Sequence, residues 1–108
     1  MSFRRVADVA SLWPGEMRGL VVDTTKVLLV NLDGTVHAYV DSCPHRGVPL
    51  SWGQLEAASC TLTCGMHLWQ YDARTGEGVN PRGVGLRRLA TKVEDDGIWV
   101  EVDGDPTG

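Results

Sequence analysis

The chain has few cysteines, no long apolar run and no excess of basic charge, and each shortage removes a class of protein. Its three cysteines, at positions 43, 60 and 64, are too few and too unevenly spaced for a disulfide framework. The longest uninterrupted apolar run, Val27-Leu28-Leu29-Val30, is strand-sized and far short of a membrane span. Met1 to Asp8 lacks the apolar stretch of a secretion signal, so a soluble cytoplasmic protein without membrane association is expected. Ten Lys and Arg against 14 Asp and Glu give a net charge of −4, and no basic run or aromatic–basic stripe points to nucleic acid. No 3.6-residue periodicity, internal repeat or linker is visible, and 108 residues suit one domain. With 43% hydrophobic residues the core is expected to be compact but modest, so a buried cofactor would add to its stability.

What the chain does have is two short cysteine–histidine pairs, Cys43-Pro44-His45 and Cys64-Gly65-Met66-His67, with 18 residues between them. Two thiolates and two imidazoles suit either zinc or a [2Fe–2S] cluster in which two histidines replace two cysteines on one iron. Zinc sites usually pair like with like, C-x₂₋₄-C and H-x₃₋₅-H, because both ligands of a knuckle meet one ion. Here each loop supplies one sulfur and one nitrogen. That division fits loops straddling two irons, one bound by both sulfurs and the other by both nitrogens. A zinc-stabilised binding module without redox function stays as the alternative of another class.

The run Cys-Pro-His-Arg-Gly followed by Cys-x-x-His resembles the Rieske motif. Downstream, Leu68-Trp69-Gln70-Tyr71-Asp72, Thr75-Gly76 and Asn80-Pro81 extend the likeness over nearly the whole chain. His67-Leu68-Trp69 with Thr-Gly-x-Gly-x-Asn-Pro is most similar to the small ferredoxins of toluene-type multicomponent monooxygenases. The resemblance implies a Rieske-type antiparallel β-sandwich or barrel. Its base would comprise residues of about 1–40 and 71–108, with a small cluster-binding subdomain inserted at about 41–70. It implies one [2Fe–2S] cluster, with Cys43 and Cys64 on the inner iron and His45 and His67 on the outer. It also implies an NADH oxidoreductase carrying FAD and an iron–sulfur centre as electron donor, and a di-iron hydroxylase as acceptor. A ring-hydroxylating dioxygenase is the alternative acceptor. The carrier itself is expected to be a monomer that catalyses nothing, since both irons would be fully coordinated and no second metal-ligand set is present.

Residues around the pairs tune that picture. High-potential relatives brace the loops with a further disulfide; Met66 and Arg46-Gly47-Val48 stand in that neighbourhood here, which resembles the low-potential group. Trp69 occupies the place of a serine that donates to a bridging sulfide in those relatives, whereas Tyr71 matches a tyrosine that donates to a cysteine sulfur. The potential is therefore expected in the lower part of the range of about −150 to +300 mV. Arg46 would raise it modestly. Trp69 has two readings, packing against the ligand loop or an exposed contact for a partner. Pro81 is expected on an apolar rim around the histidines. Cys60 and His37 are read as ordinary strand residues without a role, and Arg46, Arg74 and Arg82 are expected near the ligand loops, in contrast to the acidic tail.

Regular short strands separated by turn signals argue for an all-β domain. The pattern predicts strands at Phe3–Ala7, Met17–Val22, Lys26–Leu32, Thr35–Val40, Gln54–Ala57, Cys60–Thr63, Leu89–Val93 and Ile98–Val102. It also predicts one helical turn after Asp8, hairpins at Asp33-Gly34 and Asp95-Asp96-Gly97, and a turn at Thr75-Gly76-Glu77-Gly78.

Overall fold

The structure is a computed structural model that describes residues 2–22, 24–42, 49–65, 69–80 and 82–102. Eleven strands among them form three sheets in which every pairing is antiparallel. In chain order they are β1 (Ser2–Asp8), β2 (Met17–Val22), β3 (Thr25–Leu32), β4 (Thr35–Val40), β5 (Gln54–Glu56), β6 (Thr61–Thr63), β7 (Gln70–Asp72), β8 (Gly78–Asn80), β9 (Arg88–Leu89), β10 (Thr91–Glu94) and β11 (Gly97–Val102). A terminal sheet runs β1-β11-β10, a central sheet β2-β3-β4-β9, and a third sheet β5-β6-β7-β8.

Strand β3, in the middle of the central sheet, is buried on both faces, which explains why it reads as a continuous apolar run instead of an alternating one. Val27 and Leu29 join a cluster with Leu12, Ala38, Leu89, Ile98, Val100 and Val102, against the terminal sheet. Leu28, Val30, Leu32 and Tyr39 point the other way, into a cluster with Leu50, Leu62, Cys64, Tyr71, Ala73 and Leu86. Burying a single leucine of this kind is worth about 1.5–3 kcal/mol, so the two faces of β3 are the main anchor of the domain. Tyr39 crosses between the sheets, donating its hydroxyl to the Ala73 carbonyl at 2.7 Å. Burial pushes its phenol pKa up to about 12.

The hairpins follow their residues. Asp33-Gly34 links β3 to β4 and Asp95-Asp96 links β10 to β11, each pair holding positive φ, as two-residue loops of the primed turn types require. The helical turn after Asp8 is a 3₁₀ turn, Val9–Ser11, and the Asp8 side chain does not cap it. Cys60 is not a strand residue. It closes the β5–β6 turn with φ of 54°, in the left-handed region that only the tertiary fold imposes on a cysteine, and β6 begins one residue later. The stretch expected as one strand, Leu89–Val93, is two. Arg88 and Leu89 pair with β4, and after Ala90 the chain passes to the terminal sheet as β10. The third sheet runs from Gln54 to Asn80. No described helix is long and apolar enough to cross a membrane.

His37 is less ordinary than its strand position suggested. It lies on β4, and its Nδ1 is buried with no hydrogen-bond partner among the described residues. Burial and the charge of Arg88 lower its pKa below the usual imidazole value, only partly opposed by Asp72. The unfolded chain therefore binds the proton more tightly. Stability should fall as pH drops through about 6.5 and level off once the folded imidazole is also protonated. A His37→Gln variant should show a shallower loss of melting temperature between about pH 7 and 5. Equal slopes in variant and parent would refute the assignment.

Candidate metal centre

The second cysteine–histidine pair lies in the connection between β6 and β7. Thr63 pairs with Gln70, and the Cys64 amide donates to the Trp69 carbonyl at 2.8 Å, closing the loop that carries His67. Cys64 is fully buried within the cluster that holds Leu50, Leu62 and Tyr71. Its thiol is therefore shielded from water. Tyr71 is also fully buried in that cluster, and Trp69 is half-buried and packs against it. This packing matches the first of the two readings of Trp69. Cys43, His45, Arg46, His67 and Pro81 lie outside the described residues, and among the described residues no cluster of His, Cys, Asp or Glu is placed to hold a metal ion.

The first ligand loop is closed at its stem by a device that the sequence reading did not single out. Asp41, two residues before Cys43, is only 4% exposed. Its carboxylate accepts the Ser51 amide at 2.8 Å and the Ser51 hydroxyl at 2.7 Å, across residues 43–48. The Asp41 amide in turn donates to the Lys26 carbonyl of β3 at 2.8 Å. Gly19 of β2 leaves the space for this pair: a Cβ there would come within 2.5 Å of the Ser51 hydroxyl and 2.7 Å of the Asp41 carboxylate. An Asp and a Ser ten residues apart, bracketing Cys-x-His, were the only signal available in the sequence. Hydrogen bonds to a carboxylate of this kind contribute about 1.5–3 kcal/mol, and their removal leaves buried donors unpaired. Asp41→Ala should therefore lower iron content and speed bleaching of the visible absorbance under a chelator, while Ser59→Ala, in an exposed turn, should not. Parental retention in Asp41→Ala would exclude the clamp.

The two loops meet through glycine. After the 3₁₀ turn Leu50–Trp52, the chain at Gly53 runs so close to β6 that a Cβ on Gly53 would lie 1.9 Å from the Thr63 carbonyl oxygen. A Cβ on Gly65, the residue after Cys64, would lie 3.0 Å from the Trp52 carbonyl oxygen. Backbone thus packs on backbone where the stems of the two pairs converge. Of the arginines expected near the loops, Arg74 is tied to Asp72 at 3.0 Å on the surface, a pairing that lowers the Asp72 pKa, and Arg82 is exposed.

Three antiparallel sheets, with the described stems of the two cysteine–histidine loops meeting where Gly53 and Gly65 pack, define a small all-β protein. Residues 2–89 match the model of the Rieske [2Fe-2S] domain, and the chain belongs to that family. It is 42% identical over 89 residues to the ferredoxin component of the alkene monooxygenase system of Xanthobacter autotrophicus (strain ATCC BAA-1158 / Py2), covering 82% of this chain and 72% of that one. It is 31% identical to the ferredoxin component of biphenyl 2,3-dioxygenase of Rhodococcus jostii (strain RHA1), over 99% of both chains. Among solved structures, the ferredoxin of carbazole 1,9a-dioxygenase from Nocardioides aromaticivorans IC177 superposes with a TM-score of 0.84 at 29% identity, covering 93% of this chain and 97% of that one. The family's cofactor is a [2Fe–2S] cluster, and the thiol of the fully buried Cys64 is a donor that fits it.

Proposed function

We propose that this chain is a one-electron carrier, a Rieske-type ferredoxin. It takes its electron from an NADH oxidoreductase containing FAD and an iron–sulfur centre, and delivers it to the di-iron hydroxylase of a multicomponent aromatic or alkene monooxygenase. The observation that carries this reading is the likeness to the alkene monooxygenase ferredoxin component, stronger than that to the biphenyl dioxygenase one. His67-Leu68-Trp69 supports the same branch. Cys43 and Cys64 would bind the inner iron, and His45 and His67 the outer. Residues of about 41–70 would form the cluster-bearing unit. The protein would work as a soluble cytoplasmic monomer.

When bound, the cluster takes up and releases one electron at a potential set largely by its ligands and their hydrogen bonds. The rest falls to the polypeptide. Cys64, fully buried, keeps water from its sulfur. The Trp69 carbonyl and the Asp41–Ser51 pair fix the stems of the two loops, so little backbone rearrangement accompanies a change of charge. Tyr71 would donate toward a cysteine sulfur, and Arg46 would raise the potential modestly. Trp69 and Pro81 would flank the outer histidines. Four protein ligands on two irons leave no position for substrate, which assigns substrate chemistry to the partner.

The whole-length likeness to the biphenyl dioxygenase component supports a second reading, in which the acceptor is a ring-hydroxylating dioxygenase. Mixing the reduced protein with oxidised di-iron hydroxylase, and separately with a dioxygenase oxygenase component, in a stopped-flow spectrometer separates the two. Faster reoxidation by the hydroxylase is expected. Faster reoxidation by the dioxygenase would establish the second reading, and reoxidation by neither would end the carrier proposal.

A further inference from the structure

Trp52 is 73% exposed, the highest value among the exposed large apolar side chains of the described residues. It is carried on backbone that is held from both sides. Leu50, in the same 3₁₀ turn, is fully buried in the core, and Ser51 is bound to the buried Asp41. Gly53 is pressed against the Thr63 carbonyl, and the Trp52 carbonyl itself lies against Gly65. The backbone that carries the indole is therefore fixed at the stem of the second loop. Its turn lies beside the stem of the second pair: the Trp52 carbonyl packs against Gly65, the residue after Cys64. From Pro49 to Gln54 the sequence carries no charge, in a chain whose net charge is −4.

We infer that Trp52 is a docking contact for the oxygenase that accepts the electron. The inference rests on the carrier reading above and adds to it the residue that meets the partner. Electron transfer requires the acceptor to approach the site around Cys64, and Trp52 is the exposed aromatic whose backbone packs beside it, against Gly65. Transient redox interfaces are small, below about 1,200 Å², so one large aromatic forms a substantial part of the contact. Tryptophan on a preformed, uncharged turn binds with little loss of conformational freedom, as aromatic anchors at interface centres do. The matching surface on the oxygenase is an apolar depression beside its electron-accepting centre.

Trp13, 68% exposed, supplies the control. Its neighbour Gly15 bonds to Asn31 near one end of β3, whereas Asp41 and the ligand loop are attached through Lys26 near the other. The probe is the oxidised oxygenase component that reoxidises the parent protein in the stopped-flow experiment. With it, reduced Trp52→Ala should react at least about tenfold more slowly at subsaturating concentration, and Trp52→Phe should recover part of the rate. Visible and EPR spectra and the midpoint potential should remain those of the parent, and Trp13→Ala should react at the parental rate. An unchanged rate for Trp52→Ala, with the parent reacting normally, overturns the docking role and leaves the carrier reading intact. So does a defect confined to reduction by the NADH oxidoreductase, an equal defect in Trp13→Ala, or an altered spectrum or potential in Trp52→Ala. A parent protein that neither class of oxygenase reoxidises removes the carrier reading and this inference with it.

Discussion

Gly53→Ala is expected to abolish cluster retention and to destabilise the protein by at least about 3 kcal/mol. The methyl group would sit 1.9 Å from the Thr63 carbonyl oxygen, 3.0 Å from the Thr63 carbonyl carbon and 3.1 Å from the Gly65 amide nitrogen. All three are backbone atoms in or beside the stem of the second ligand loop, so no side-chain rotation relieves the contact. The strand pairing of β5 with β6 must open instead, and with it the position of Cys64. A loss of that size is a large part of the roughly 5–15 kcal/mol that hold a small domain together. Gly34→Ala provides the comparison, because a Cβ there meets nothing within 4 Å although φ is 91°. Its cost is the left-handed backbone alone, about 1–2 kcal/mol. Iron content and urea unfolding of both variants decide the matter; a Gly53→Ala protein with parental iron and midpoint would show that the loops do not depend on this contact.

Cys64→Ala is expected to remove the visible absorbance and essentially all iron, and to lower stability by several kcal/mol. Removing one sulfur from a packed core costs little by itself, since the cavity left is smaller than a methylene chain would leave. A large fall in melting temperature would therefore report the lost cluster. Cys60→Ala separates the two effects. Cys60 packs against the same core cluster and is only partly buried, but it lies in the β5–β6 turn, away from the ligand loops. It should keep parental colour and iron. Stoichiometric iron in Cys64→Ala would remove Cys64 from the ligand set, and an equal loss in both variants would point to general core damage.

The strands that the sequence located best are those whose burial is set by local pattern. Met17–Val22 and Thr35–Val40 appear as expected, and the Asp33-Gly34 turn that leads into the second carries residues suited to its positive φ. Strands β7 and β8 were not legible. They are three residues long, too short to show a pattern of their own. The passage of the chain between sheets at Ala90 leaves no local mark either, because both halves of Leu89–Val93 look equally strand-like. For the metal centre, the residue types and spacing of the two cysteine–histidine pairs named the chemistry without any structure. The means of holding the loops together were invisible: nothing in the sequence says that Asp41 reaches Ser51, or that Gly53 and Gly65 lie where two backbones touch.

Trp69 and Trp52 show the same division in one pair of residues. Sequence pointed to Trp69, because it stands two residues after His67. The fold turns Trp69 against the core and leaves Trp52 in water. Ligand identity is a property of side-chain chemistry and short spacing, so the sequence by itself determined the family, the cofactor class and the all-β fold. Which aromatic is exposed, which carboxylate is buried and which glycines are indispensable depend on contacts between segments ten or more residues apart. Those contacts exist only once the segments have folded together, and so only the tertiary structure decided them.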